Sequence, residues 1–262
     1  MKLEDFHMYK TPDDLPAGLQ AFCQPVADTG MHVFHHRYCV SLFPLAFPLS
    51  IEDLLDLRRD KAFEVLDRHG EHHYLTMIER PYRFDALLEL AMDGAFEAKP
   101  QAYWECLRFC WVDSEIDEAD PVWGQVIDID IPGRESFMSA KDRTTLKELP
   151  DFVRVWRGIQ GDDSDEARRA CHNGHSWTTD PAVAEKFAFR LARGTGSWLA
   201  STSIPKDRVF AYLGHRGESE IIIRPSDLEG LDIRITHASR LAIPQHTTFK
   251  EFANDGTDPE GP

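Results

Sequence analysis

The sequence predicts an α+β protein in which a helical N-terminal part precedes a β-rich C-terminal part. Two observations lead to this class. Before residue 149, apolar residues recur at helical spacing between capping residues and prolines. After residue 149, short β-branched and aromatic runs are separated by Gly, Pro and Asp. The 262 residues suffice for one large domain or two small ones.

The stretch between Ser50 and Gly70 gives the clearest helix signal. Ser50 can cap the N-terminus, apolar residues follow at helical spacing, and Gly70 can end the helix. The preceding apolar run at 42–49 is interrupted by Pro44 and Pro48, which exclude a helix or a central strand. It is predicted to be a buried irregular segment or a short edge strand.

Three further helices are predicted before the strands, at about residues 84–97, 101–112 and 141–148, with prolines between them. The first part of the chain is therefore divided in two. Residues 1–80 form an N-terminal region whose role the sequence does not indicate. Residues 81–148 form a helical lead-in that is expected to pack on the second half.

The second half is predicted as a β-rich core at 149–245, followed by a polar tail at 246–262 that is expected to be disordered. The predicted strands are 152–157, 197–204, 208–213, 220–224 and 231–235. One amphipathic helix interrupts them, with Asp180 as its cap and Pro181 in its first turn. Phe187 lies on the apolar face of this helix and is predicted to be a core residue.

Charge is distributed unevenly along the chain, whose net charge is −16. Residues 1–150 hold 15 basic and 28 acidic residues, whereas residues 151–245 are neutral. An acidic N-terminal half repels nucleic acid and anionic membranes at long range, although the neutral part can still bind an anionic ligand. The simplest role of the acidic residues is a solvated surface.

No apolar window is long enough to predict a membrane span, and the acidic N-terminus does not resemble a secretory signal. The five cysteines are an odd number without a CxxC pair, which indicates reduced thiols and a cytoplasmic location. Cys106, Cys110 and the neighbouring Trp111 are expected to pack in the core. The histidine pairs lack the spacing of metal ligands, so no metal is expected.

Six residues form an ordered series along the second half: Arg157, Gly158, Ser176, Thr178, Glu218 and Glu220. The first two end a predicted strand, the next two precede the amphipathic helix, and the glutamates follow a glycine-bearing turn. On a strand, residues i and i+2 point to one face, so both carboxylates are predicted to emerge side by side. Two acids on one face push their pKa values apart, which suits one charged and one proton-accepting role.

This series, with its flanks, resembles the arginine–serine–glutamate branch of the ADP-ribosyltransferase superfamily, in its prokaryotic or phage type. The segments LPDFVRVWRG, GHSWTTDPAVAEKFA and VFAYLGHRGESEIII are each similar to a family segment and come in family order. The resemblance covers about residues 145–235, and the preceding helices look like the helical lead-in of many prokaryotic members. It implies a mono-ADP-ribosyltransferase-like split β-sandwich that uses NAD as its substrate.

The resemblance also implies roles for the NAD-binding residues. Arg157 is the implied clamp on the NAD phosphates, since a planar fork suits bidentate phosphate contacts. Gly158 is implied to present backbone groups to the nicotinamide amide. Ser176 and Thr178 are implied to form the serine element that supports the nicotinamide-ribose pocket and the catalytic glutamate.

The two glutamates are implied to serve different substrates. Glu220 is the implied catalytic glutamate, which bonds the ribose 2′-hydroxyl of NAD. Glu218 is implied to orient or deprotonate the acceptor, and in this family a glutamate at that position goes with arginine acceptors. Cleavage of the nicotinamide–ribose bond creates an oxocarbenium-like centre, which a neighbouring carboxylate stabilises.

A literal Ser201-Thr202-Ser203 competes for the serine element. It lies forty-four residues after Arg157 and precedes Ile204-Pro205 rather than a helix. In the family, the element closely follows the arginine strand and leads into a helix, so we choose Ser176-Trp177-Thr178. That choice departs from the family pattern in its second and third residues, and Trp177 is expected to pack in the core.

The sequence thus predicts an NAD-dependent mono-ADP-ribosyltransferase that acts on a macromolecular acceptor, with protein and arginine favoured and no membrane partner. Three alternatives stay open. The first is an NAD glycohydrolase toxin that uses water as the acceptor. The second is an inactive binding module with residues 1–140 as its partner surface. The third is a transferase acting on nucleic acid in a toxin–antitoxin or phage-defence setting, where an antitoxin or regulatory partner is expected.

Overall fold

A computed structural model of the protein describes residues 6–114, 122–190 and 196–238. Helices and antiparallel sheets alternate in it, so the predicted α+β class is confirmed. The helices are α1 (Ala17–Gln20), α2 (Ile51–His69), α3 (Glu71–Thr76), α4 (Arg83–Met92), α5 (Pro100–Asp113), α6 (Val122–Ile127), α7 (Ala140–Glu148), α8 (Ser164–Asn173) and α9 (Pro181–Arg190). The strands are β1 (His7–Tyr9), β2 (Cys23–Pro25), β3 (His32–His36), β4 (Cys39–Leu42), β5 (Leu45–Phe47), β6 (Phe152–Gly161), β7 (Ser176–Thr178), β8 (Gly196–Pro205), β9 (Ala211–Leu213), β10 (Glu220–Ile222) and β11 (Arg234–His237).

Local capping signals account for the helix ends. The hydroxyl of Ser50 accepts a hydrogen bond from the Asp53 N–H at 3.1 Å, and α2 ends at Gly70, whose φ is 82°. Both ends of this helix are as predicted. The sequence does not predict α8, although Asp163 caps it by accepting hydrogen bonds from two backbone N–H groups of the first turn. Helix α8 is short and mostly polar, and it buries only Ala167 and Cys171.

Residues 7–47 contain two small antiparallel sheets, one of β2, β3 and β4 and one of β1 and β5. Strand β5 lies in the apolar run that the prolines interrupt and pairs with β1 alone. A short edge strand, one of the two predicted alternatives for this run, is therefore confirmed.

Two hydrophobic cores lie on opposite faces of β9 and β10. The first draws its other residues mainly from between Leu15 and Phe137, and β9 and β10 add Leu213 and Ile222 to it. Residues from both sides of position 80 share this core. The second core lies among β6, α8, β7, β8 and β10 and contains Trp177, which is 1% exposed, so its predicted core position is confirmed. The helical part and the sheet are thus packed together.

The main sheet has six strands in the order β11-β8-β6-β7-β10-β9. It consists of two three-stranded halves. Strands β6 and β8 pair over ten residues, from Phe152 opposite Pro205 to Gly161 opposite Gly196. By contrast, β6 pairs with β7 only where Trp156 faces Thr178. Beyond that pair the two strands separate, which leaves a gap between the halves.

Helix α9 lies close against β6 at Gly158. A Cβ on this residue would lie 2.1 Å from the carbonyl oxygen of Ala184 and 2.4 Å from the amide nitrogen of Ala188, so only glycine fits. The close approach leaves room for small side chains, and α9 buries these two alanines. Phe187, predicted to be in the core, is instead 36% exposed, and that prediction is wrong.

The predicted strands of the second half are present, with shifted ends. Strand β6 extends to Gly161, four residues beyond its prediction, whereas β9 begins only at Ala211 and β11 only at Arg234. The tail at 246–262 lies outside the described residues. Among the residues that are described, no helix has both the length and the hydrophobicity that a membrane crossing requires.

Candidate active site

A cleft opens where the two halves of the main sheet separate. All six residues of the predicted series line it: Arg157, Gly158, Ser176, Thr178, Glu218 and Glu220. Trp156, Val183 and Phe187 form an apolar side of the same cleft. The structure therefore brings the whole predicted series together at one opening, with carboxylates, a guanidinium and aromatic rings on its walls.

Glu220 is the buried carboxylate of this cleft, with 8% of its surface exposed. Its Oε1 accepts a hydrogen bond from the Ser176 hydroxyl at 2.6 Å and another from the Trp111 indole N–H at 3.0 Å. Ser176 reaches it because β7 and β10 pair with Thr178 opposite Glu220, which leaves Ser176 diagonal to the carboxylate. Two donors on one oxygen hold the carboxylate in a defined orientation.

The two candidate serine elements lie in different surroundings. The hydroxyl of Thr178 donates to the carbonyl oxygen of Glu218 at 2.6 Å and accepts from the Asp180 N–H at 3.0 Å, which ties the serine element to the glutamate turn and to α9. Ser201 instead accepts a hydrogen bond from Arg154, and Ser203 is exposed on β8. Of the two elements, the one at 176–178 contacts the glutamates.

The guanidinium of Arg157 packs against the backbone of Gly174. Its Nη1 donates to the carbonyl oxygen of Ser176 at 2.5 Å. A Cβ on Gly174 would lie 2.0 Å from Nη2 and 2.2 Å from Cζ of Arg157, so the guanidinium lies directly on the backbone at that position. Sequence reasoning did not identify Gly174, because an isolated glycine before a strand has many ordinary explanations.

Glu218 does not lie on a strand, and the predicted reason for its direction is wrong. Strand β10 begins at Glu220, while Glu218 follows a 3₁₀ turn at His215–Gly217. Ser219, between the glutamates, has a φ of 46°, in the left-handed region that few non-glycine residues adopt. This turn, rather than strand alternation, brings both carboxylates to the cleft. Backbone of this kind concentrates at functional sites.

The segment 214–219, which carries Glu218, is anchored to the helical part through Asp142. The Oδ1 of Asp142 accepts a hydrogen bond from the Gly214 N–H at 3.0 Å. The Oδ2 of Asp142 accepts from Arg108 at 3.1 Å and from the Ser139 hydroxyl at 2.6 Å. Burial alone raises the pKa of Asp142, but these hydrogen bonds and the guanidinium outweigh it and hold the pKa below its ordinary value. The resulting stabilisation is present at neutral pH and is lost as the pH falls through the folded-state pKa.

Trp111 is the site residue that sequence reasoning assigned to packing alone. It does pack in the first core with Cys110, at 7% exposure, as predicted. Its indole also reaches Glu220, 109 positions further along the chain. No local pattern carries that information, because the contact depends on how the helical part docks on the sheet.

Within the described residues, no three His, Cys, Asp or Glu side chains are grouped so that they could hold a metal ion. Comparisons of the chain with models of protein families, with curated proteins and with solved structures found no match.

Proposed function

We propose that the cleft binds NAD and that the protein transfers ADP-ribose from NAD to a macromolecular acceptor, with release of nicotinamide. The observation that carries the proposal is the hydrogen bond between Ser176 and Glu220 inside a cleft that also contains Arg157 and Glu218. The division of the main sheet at Trp156 supports the finer proposal of a split β-sandwich of the mono-ADP-ribosyltransferase type.

Glu220 has the surroundings that the bond cleavage needs. The nicotinamide–ribose bond breaks through an oxocarbenium-like transition state, which carries positive charge on the ribose. A carboxylate stabilises that charge more than it stabilises neutral ribose, and the effect is larger in a desolvated site. Glu220 is 8% exposed and is oriented by two hydrogen bonds before substrate binds, so little reorganisation is required.

The rest of the cleft suits the other parts of NAD. Arg157 offers a planar guanidinium for the pyrophosphate. The rings of Trp156 and Phe187 provide an apolar surface for the nicotinamide. Gly158, whose lack of a side chain is already required by α9, is proposed to present its backbone to the nicotinamide amide.

Glu218 is proposed to act on the acceptor. It is more exposed than Glu220, as a group that meets an incoming macromolecule should be. An arginine acceptor has a pKa above about 12 and is a poor nucleophile, so a carboxylate that orients or deprotonates it is useful. The acidic first half of the chain favours a protein acceptor over nucleic acid. A cytoplasmic location is part of the same proposal.

Labelled NAD tests the proposed function directly. The protein is incubated with NAD labelled in its adenylate part and with a whole-cell lysate, and the label is followed on protein, on nucleic acid and in free ADP-ribose. We expect label on protein bands together with nicotinamide release. Label only in free ADP-ribose indicates the glycohydrolase, and label on nucleic acid indicates the third alternative. Absence of nicotinamide release from the folded protein contradicts the proposal.

Substitution of Gly174 by alanine is expected to weaken NAD binding without changing the charge of the cleft. The new methyl group would overlap the Arg157 guanidinium and displace it. Arg157→Ala should have a similar effect of about 1.5–3 kcal/mol, the range for charge-assisted hydrogen bonds to phosphate. Titration calorimetry with NAD measures both variants.

The matched controls are Gly18→Ala, where a Cβ meets no atom within 4 Å, and Arg154→Ala on the same strand as Arg157. Both controls should bind NAD with unchanged affinity. If folded Gly174→Ala and Arg157→Ala also bind NAD normally, then Arg157 does not contact the substrate.

Ser176→Ala is expected to lower the rate of nicotinamide release about tenfold, because Glu220 loses a short hydrogen bond that orients it. Ser201→Ala removes the same hydroxyl from the competing element, which contacts Arg154 instead, and should leave the rate unchanged. Initial rates of nicotinamide release compare the two variants. The opposite pattern would show that the second element is the functional one.

A further inference from the structure

Helix α5 supports residues 214–220, which carry both glutamates, at two points: directly at Glu220 and through Asp142 at Gly214. Trp111 donates its indole N–H to Glu220, at the end of that segment. Arg108 donates to Asp142, which in turn accepts the N–H of Gly214, at the start of the segment. The helical part therefore holds both ends of the backbone that carries the proposed catalytic glutamate and the proposed acceptor glutamate.

We propose that Trp111 is a positioning residue, which fixes the orientation of the Glu220 carboxylate and so makes the helical part a component of the active site. This inference rests on the proposed function of the cleft. Its basis is the indole hydrogen bond at 3.0 Å, made at a buried site by a side chain that belongs to the first core.

The direction of the indole N–H is fixed in a way that the Ser176 hydroxyl is not. A serine hydroxyl rotates about its C–O bond and can donate elsewhere. The Trp111 ring is held edge-on by Phe137 at 6.2 Å and by His175 at 6.4 Å, and it is 7% exposed. Its N–H can therefore point in only one direction. Of these two donors, Trp111 is therefore the one with the fixed direction.

A donor on the carboxylate also favours its charged form. Without the indole N–H, Glu220 would keep the Ser176 hydrogen bond, but its charged form would lose one stabilising donor. The carboxylate would also sample more orientations beside the ribose. Loss of the N–H is therefore expected to change the turnover number and its pH dependence, and to leave the affinity for NAD nearly unchanged.

Trp111→Phe keeps an aromatic ring in the core and removes the N–H. We expect kcat for nicotinamide release to fall about 10- to 100-fold, as for the loss of a hydrogen bond to a charged group, with KM for NAD unchanged. We also expect the acid limb of the kcat profile to move to higher pH. A purely structural role for Trp111 would lower the melting temperature but would not move the acid limb.

Trp104→Phe is the matched control on the same helix. Trp104 is also buried, and its indole N–H donates to the carbonyl oxygens of Ile131 and Pro132, not to Glu220. This variant should lose a comparable indole hydrogen bond and keep the wild-type pH profile. A Trp111→Phe variant whose rate and pH profile match those of the wild type overturns the proposal.

A second measurement follows the indole resonance of Trp111 by NMR, and it does not require the protein to be active. In ¹⁵N-labelled protein, the indole resonance of Trp111, assigned by its loss in Trp111→Phe or by elimination, should move on Glu220→Gln. It should not move on Glu229→Gln, which changes an exposed carboxylate elsewhere. An unmoved resonance overturns the positioning role. If the wild type does not cleave NAD, the proposed function fails, while this measurement still decides whether Trp111 holds Glu220.

Discussion

Replacement of Glu220 by glutamine is expected to abolish both nicotinamide release and ADP-ribose transfer, with a loss of about 10²–10⁴ in rate. Glutamine keeps the volume of the side chain, and its amide oxygen can still accept from Ser176 and Trp111. The substitution therefore removes the charge and little else. Because the positive charge on the ribose develops only in the transition state, the loss should fall on kcat rather than on NAD affinity.

The comparison requires a folded variant and a neutral control. Initial rates of nicotinamide release and transfer of labelled ADP-ribose are measured for Glu220→Gln and for Glu229→Gln, whose side chain is exposed away from the cleft. The control should match the wild type in both assays. If Glu220→Gln retains full activity while the control is normal, the catalytic assignment is wrong and the resemblance to the family supports only a fold.

Elements with local signals were predictable from the sequence. Ser50 and Gly70 define α2 because an N-cap hydroxyl and a left-handed glycine act on their own backbone neighbours. Phe187 was assigned to the wrong face of α9 for the opposite reason. Which face of that helix is buried depends on its close contact with Gly158 of β6, where Ala184 and Ala188 are the buried side chains. Periodicity identified the helix but not the face that packs.

The site residues divide in the same way. The six residues of the series were identified by their order and flanks, and they line one cleft. The direction of Glu218 was not predictable, because it depends on Ser219 adopting a left-handed backbone that its residue type does not favour. Trp111 and Gly174 act through tertiary contacts, with Glu220 and Arg157 respectively, and neither has a local signature.

The contribution of the helical part bears on the alternative of an inactive binding module. In that alternative, residues 1–140 serve as a partner surface. In the described residues, α5 also donates a hydrogen bond to Glu220 from Trp111. It donates another from Arg108 to Asp142, which accepts the N–H of Gly214. Leu213 and Ile222 of the sheet are buried in the same core as the helices. The helical part therefore contributes directly to the cleft, a contribution that the proposed enzyme would use and that a partner surface does not require.

Glu218→Gln is expected to separate transfer from hydrolysis. Transfer to a guanidinium should fall by about 10² or more, because the neutral amide can no longer orient or deprotonate the acceptor. Slow hydrolysis of NAD, with water as the acceptor and nicotinamide as a product, should persist, because Glu220 and its hydrogen bonds are unchanged. The two activities are measured in parallel, as label on protein and as free nicotinamide.

The outcome also identifies the acceptor class. Glu218 lies in the cleft on a turn whose backbone is tied to Thr178, so a change of its side chain to the isosteric amide should leave that turn in place. Glu229→Gln again serves as the control and should retain both activities. If Glu218→Gln loses both activities equally, the residue belongs to the NAD site and not to the acceptor site. If the variant retains full transfer, a guanidinium is not the acceptor, and a hydroxyl, a thiol or a nucleobase, which needs less help to react, takes its place.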